Sequence, residues 1–189
     1  MIRRCMAALA LTATFGAQAQ GQPDTATLLA AQGQAMAPLA MLDGTWRGSA
    51  RLYLEGGKTR ELVQTERVGP MLGGSVKVIE GRSYGAEGQV EFNALAIVSF
   101  DPQSGRYTLH AQAQGRAGDF NFEPRPDGFV WTVKMGPVTI RHSTVVQGGR
   151  WEEVTERLMD GQPPTRLLEM SLRRLGDSDW PAAGAVPMR

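Results

Sequence analysis

The chain has one cysteine, Cys5, and only two histidines, His110 and His142, in 189 residues. A single cysteine excludes an internal disulfide. So few thiols and imidazoles also leave little for a Cys/His metal centre, which needs three or four ligands at suitable spacing. Charge of one sign is missing too. The 20 Lys+Arg stand against 19 Asp+Glu, a net charge of +1, with no basic block. That removes the electrostatic case for nucleic acid or for an anionic membrane surface. No apolar run approaches the ~20 residues a membrane-spanning helix needs. Gly-x-Ser-x-Gly and a phosphate-cradling glycine loop are absent as well.

What is present begins with an export pattern. Arg3 and Arg4 form a short basic region, Cys5 to Phe15 an apolar stretch, and Ala17-Gln18-Ala19 a small-x-small cleavage site. Together they predict a secretory signal over 1–19 and a periplasmic destination. Cys5 lacks the preceding residues of a lipoprotein signal, so no lipid anchor is expected. Cleavage removes Cys5 and takes Lys+Arg from 20 to 18, turning the net charge from +1 to −1. Stability must then come from the core, which roughly 170 residues can build.

Residues 20–42 read as a leader and a short helix. Thr25 to Met36 is rich in Ala, Leu and Gln, Asp24 or Thr25 can cap the first turn, and Pro38 limits the helix. Leu28, Leu29, Met36 and Leu39 would lie against the body or across an open end of it. After Asp43-Gly44 the pattern changes to period two. Runs at 46–54, 58–68, 74–84, 90–100, 106–114, 119–123, 129–135, 138–147, 150–159 and 165–175 are separated by Gly, Pro and Asp turns. No helix-length segment interrupts them, which excludes parallel crossovers. Ten meandering strands leave two open edges unless the sheet closes. The expectation is therefore an all-β chain: one antiparallel up-and-down barrel of about ten strands over 43–175, with a flexible tail at 176–189.

Leu42-Asp43-Gly44-Thr45-Trp46-Arg47-Gly48 resembles the Gly-x-Trp opening of the first strand in the calycin superfamily of lipocalins, fatty-acid-binding proteins and nitrobindin-like barrels. Leu72-Gly73-Gly74-Ser75, Ser99-Phe100-Asp101-Pro102 and the closing Leu172-Arg173-Arg174 extend it. Over about 40–175 the chain resembles exported lipocalin-like bacterial barrels of uncharacterised function. The resemblance implies that Arg174, from the last strand, lies across Trp46 as a structural closure. It also implies haem in the nitrobindin-like branch, held by a histidine near the last strand. Arg166 to Leu175 contains none, so no cofactor is expected beyond a haem held by His142.

Alternation supplies the candidate lining. Phe92, Ala94, Ala96, Val98 and Phe100 share one face, Tyr107, Leu109, Ala111 and Ala113 another, and Phe129, Trp131, Val133 and Met135 a third. Met170 shares a face with Leu168 and Leu172, and His142 one with Ile140 and Thr144. The small residues Gly48, Ala50, Ala94, Ala96, Ala111 and Ala113 leave room at the centre. Glu80 and Arg82 share a face with Val76 and Val78, either lining the cavity as anchoring or acid–base groups or sitting at its rim. Glu66 shares one with Leu62, Gln64 and Val68. Glu152, Glu153 and Glu156, near Arg150 and Arg157, read as a solvated face, and His110 as solvent-facing. The candidate ligand-binding set is thus Glu80, Arg82, Phe92, Tyr107, Trp131, Met135, His142 and Met170. No catalytic residue or metal ligand is assigned. Three functions fit: a binder of a small hydrophobic or amphipathic molecule, an enzyme working in the same lumen, or an envelope interaction protein with a filled barrel. An outer-membrane barrel fits poorly with Arg47, Arg51, Arg67 and Arg173 on the non-core faces. Nothing in the sequence specifies an oligomeric state.

Overall fold

In a computed structural model, residues 23–180 are described. Ten antiparallel strands close into a barrel: β1 (Gly44–Tyr53), β2 (Thr59–Met71), β3 (Val76–Tyr84), β4 (Val90–Asp101), β5 (Arg106–Ala113), β6 (Arg116–Arg125), β7 (Gly128–Met135), β8 (Val138–Gln147), β9 (Arg150–Met159) and β10 (Thr165–Gly176). Each strand pairs with the next, and β1 pairs with β10 to close the sheet. Closure leaves no sheet edge unpaired. The expected secretory signal over 1–19 lies outside the described residues, as does the tail beyond Trp180.

Helix α1 (Thr25–Met36) has the expected bounds, with the Asp24 side chain accepting from the Thr27 N–H at 2.7 Å. Pro38 does not end the path of the chain; it opens a 3-10 segment, Ala37–Leu42, that delivers it to β1. Met36, Leu39 and Leu42 are fully buried, whereas Leu29 stays half exposed. The apolar face therefore lies at the C-terminal end of the helix and in the turn that follows.

The meander sends alternate turns to opposite ends of the barrel. One end is plugged. There Leu39 and Leu42 meet Trp46, Val68, Val98, Leu109, Phe122, Phe129, Trp151 and Leu172 in one cluster. Its rings make a chain across the floor, with Trp46 edge-on to Trp151 at 5.6 Å, Trp151 edge-on to Phe129 at 5.9 Å, and Phe129 stacked on Phe122 at 4.9 Å. The Tyr107 hydroxyl donates to the Ala35 carbonyl at 2.9 Å and the Gln32 amide to Phe100 O at 3.3 Å, fixing α1 beneath this end. At the other end Phe92 is 40% and Met135 55% exposed. Both belong to inward-facing series, so this end is a mouth.

Strand β6 is longer than its sequence run. Gln114 and Gly115, both at positive φ, make a two-residue hairpin turn, so pairing resumes at Arg116. Pro124 lies within the strand near its end, opposite Phe129.

Candidate functional site

Residues directly opposite each other across a ladder share a face. Starting from buried Trp46, the register carries the inward face around the barrel: Glu66 and Gln64 on β2, Gly81 and Ser83 on β3, Ala94 and Ala96 on β4, and Ala111 and Ala113 on β5. It continues through Phe120, Trp131, His142 and Thr144 to Glu153 and Thr155, then Met170. Four alanines on adjacent strands leave one wall low. Opposite stands a polar group.

Its centre on β8 and β9 is His142. The ring stacks flat on Trp131, with centroids 3.7 Å apart and planes 8° apart. His142 Nδ1 lies 2.9 Å from Thr155 Oγ1 and 3.4 Å from Glu153 Oε1. The Thr144 hydroxyl donates to Glu153 Oε2 at 2.8 Å. On the facing strands the Gln64 amide donates to Glu66 Oε1 at 2.7 Å, and the Ser83 hydroxyl donates to Gln64 Oε1. Gly81 makes room for Glu66: a Cβ there would lie 2.8 Å from Oε1 and 2.9 Å from Oε2. Burial pushes the Glu66 carboxyl up to about 8; the hydrogen bond from Gln64 opposes the rise, and the carboxyls of Glu153 and Glu80 add to it. Glu66 is thus a neutral proton donor at pH 7, in the same lumen as an imidazole and a second carboxyl.

Among the residues singled out in the sequence, the structure brings Trp131, His142 and Met170 together in the lumen, Met170 lying between Ala50 and Glu153. Phe92 and Met135 are at the mouth. Tyr107 points inward at the floor, where its hydroxyl latches α1. Burial pushes that hydroxyl above its ordinary range. Glu80 and Arg82 are elsewhere: they face outward, opposite Arg67 and Thr65, and Glu80 pairs with both Arg67 and Arg82 on the outer surface. The register forces this, because Ile79, Gly81 and Ser83 are the residues opposite inward Val68, Glu66 and Gln64. Val76 and Val78 made the other face of β3 read as the inner one.

Arg174 stands opposite Trp46, as expected, but does not stack on it. Its guanidinium lies over Gly44, donating to Asp43 O at 3.1 Å and to Asp177 Oδ1 at 2.6 Å. The Trp46 ring packs instead on Trp151, with its N–H donating to Leu42 O at 2.8 Å. The cation–π contact among the described residues is Arg67 over Trp180, at 5.7 Å.

Glu153 does not belong to the solvated face that its spacing with Glu152 and Glu156 predicts. Those two do face out, pairing with Arg150 and Arg141. Glu153 alternates inward, opposite Thr144 and Met170. The period-two rule applied to Trp151 finds it.

A second hydrogen-bonded relay lies outside. Ser99 Oγ is 2.9 Å from His110 Nε2, and His110 Nδ1 is 2.7 Å from Asp119 Oδ1. The order matches a serine-hydrolase triad, but the surroundings do not. His110 and Asp119 are 45% and 72% exposed on an open sheet face. Strand amides lie in the plane of the sheet, so none stands over Ser99 to receive an oxyanion. An open groove of about 870 Å³ runs beside it, lined by Arg106, Asn121, Thr132 and Lys134. Exposed polar side chains share its walls with the rings of Tyr107, Phe120 and Phe122.

No protein-family model and no curated protein matches the chain. Among solved structures, the crystal structure of Rv2717c from M. tuberculosis is similar, with a TM-score of 0.57 at 16% identity. The match covers 77% of this chain and 98% of that one. At that identity the likeness shows a shared barrel fold and transfers no residue roles.

Proposed function

We propose that this protein is an exported, lipocalin-like binding barrel of the calycin type, which holds a small amphipathic molecule in its lumen. One observation carries the reading. Inward residues at mid-depth keep solvent contact: the side chains of His142 and Glu153 are 17% and 14% exposed, and Ala96, Ala111 and Trp131 are half-buried, while the floor beneath them is closed. A chamber sealed at one end and open at the other, apolar on one wall and polar on the facing wall, suits a ligand with an apolar body and a polar head. The outer face supports a water-soluble barrel over a lipid-embedded one, since it carries ion pairs such as Arg51–Glu61, Arg141–Glu156 and Arg150–Glu152. The periplasmic setting rests on the 1–19 pattern, and N-terminal sequencing of the native protein checks it.

The test uses a neutral amphipathic probe, 2-(1-naphthyl)ethanol, titrated calorimetrically into the protein and into Ala111→Phe. The expected result is one saturable site in the wild type and loss of at least about tenfold in affinity when the phenyl ring fills the chamber. Equal affinity in a folded Ala111→Phe would place binding outside the lumen. The enzyme alternative now rests on Glu66, Glu153 and His142 rather than on Glu80 and Arg82. It requires turnover that disappears in Glu66→Gln while the fold persists.

A further inference from the structure

We infer that the molecule this lumen takes is headed by a hydroxyl group, an alcohol or phenol whose O–H donates to Nε2 of His142. The inference rests on the lumen-binding reading and adds the chemistry of the head group. The first observation is how the inward polar side chains are already engaged. Gln64 donates to Glu66 at 2.7 Å and accepts from the Ser83 hydroxyl. Glu66 keeps its proton up to about pH 8, so at pH 7 it calls for no counter-ion. Glu153 accepts from the Thr144 hydroxyl at 2.8 Å and lies 3.4 Å from His142 Nδ1. Each carboxyl therefore has its partner in the wall, and a charged head group would give up its hydration without gaining a counter-charge that the wall leaves open. The head group that fits is neutral.

The second observation is the way His142 is held. Trp131 covers one face of its ring, with centroids 3.7 Å apart and planes 8° apart. Thr155 Oγ1, at 2.9 Å, and Glu153 hold its Nδ1 edge. A carboxylate can only accept, so the neutral imidazole carries its proton on Nδ1 and its lone pair on Nε2. Among the described residues no group bonds to Nε2. Nor do they enclose it: the buried side-chain atoms left without a partner are Trp151 Nε1 and the Nε atoms of Arg82 and Arg141. Nε2 is thus a fixed acceptor that the inward face leaves open.

An imidazole lone pair takes a donor. Carboxylates, ethers and ketones have no proton to give it. A hydroxyl is the smallest neutral group that does, and its oxygen keeps lone pairs for a bridging water. The apolar body of the molecule then lies toward the low wall of Ala94, Ala96, Ala111 and Ala113. Because Trp131, Thr155 and Glu153 lock the imidazole before any ligand arrives, this bond costs no further ordering of the His142 side chain.

The experiment compares 2-(1-naphthyl)ethanol with its methyl ether, which keeps the oxygen and loses the donor. Both are titrated calorimetrically at pH 7 into the wild type and into His142→Phe, whose ring can still stack on Trp131 but offers no acceptor. The expected result is that the alcohol binds at least about fivefold tighter than the ether in the wild type, and that the two bind within about twofold of each other in the variant. Comparing the two ratios cancels the bulk of the extra methyl group. Imidazole 15N spectra of the labelled wild type read the same contact without a substitution, and they decide alone if His142→Phe does not fold. The chain has two histidines, and His110, bonded to Ser99 and Asp119 on the outer face, serves as the reference. Free His142 should carry its proton on Nδ1, and the alcohol but not the ether should move its Nε2 resonance. Equal affinities of alcohol and ether, a preference that survives in folded His142→Phe, a protonated Nε2 in the free protein, or an Nε2 unmoved at saturation would each overturn the head-group assignment while lumen binding stands. If neither probe binds, the lumen-binding reading itself falls and the head-group assignment with it.

Discussion

At the residue scale, the Glu66 carboxyl is shifted further from its ordinary range than any other titratable group of the described residues. Below about pH 4.5, its ordinary value, the carboxyl is protonated in both folded and unfolded chains and costs nothing. As pH rises, the unfolded chain loses the proton first, while the folded chain keeps it to about 8. Stability therefore falls across this window, and the loss is complete above it. A shift of this size corresponds to on the order of 3–5 kcal/mol. Urea unfolding from about pH 5 to about pH 8.5 should show a falling midpoint in the wild type, with most of the fall removed in Glu66→Gln. A slope of the same size in both proteins would mean that another group is responsible. The residue scale is also where the sequence was hardest to read. Glu66 was visible on the face of Leu62 and Val68, but Glu80 drew attention because Val76 and Val78 made its face look internal. Hydrophobicity did not distinguish the two faces of β3, because Val78 is 3% exposed although it is opposite outward Gly69. Only the pairing with β2 decides which face is inside.

At the element scale, β1 carries the closure. Gly48 sits opposite Leu172 across the β1–β10 seam, and a Cβ there would run into the Ser171 carbonyl of the partner strand. Backbone cannot yield as a side-chain tip can, so Gly48→Ala should cost about 2–4 kcal/mol and loosen the seam. Gly81→Ala provides the contrast. Its Cβ meets only the far end of Glu66, a flexible side chain, so stability should change by less than about 1 kcal/mol while the carboxyl is pushed from its place. Denaturant midpoints of the two variants check the ranking; equal losses would contradict it. The elements themselves were largely legible. The runs at 138–147 and 150–159 coincide with β8 and β9, because Gly148-Gly149 at positive φ makes an unambiguous two-residue turn. β6 was foreshortened because Gly118 and Pro124 look like punctuation, yet both are tolerated within its ladders.

At the scale of the whole molecule, period-two patterning and turn spacing give closure, since ten meandering strands have no other economical way to hide their edges. The same patterning does not say which end of a barrel is open. That depends on where α1 docks, and the docking is set by Tyr107, Leu39 and Leu42 against strands distant in sequence. The central claim is that the open lumen, and no outer groove, is where a small molecule binds. Methyl-resolved NMR during titration with 2-(1-naphthyl)ethanol tests it most directly. The inward methyls of Ala96, Ala111 and Met170 should shift together and saturate with one affinity, while those of outward Val63, Leu95 and Ile97 stay in place. Shifts confined to the outward set, with the inward methyls unmoved at saturation, would contradict it.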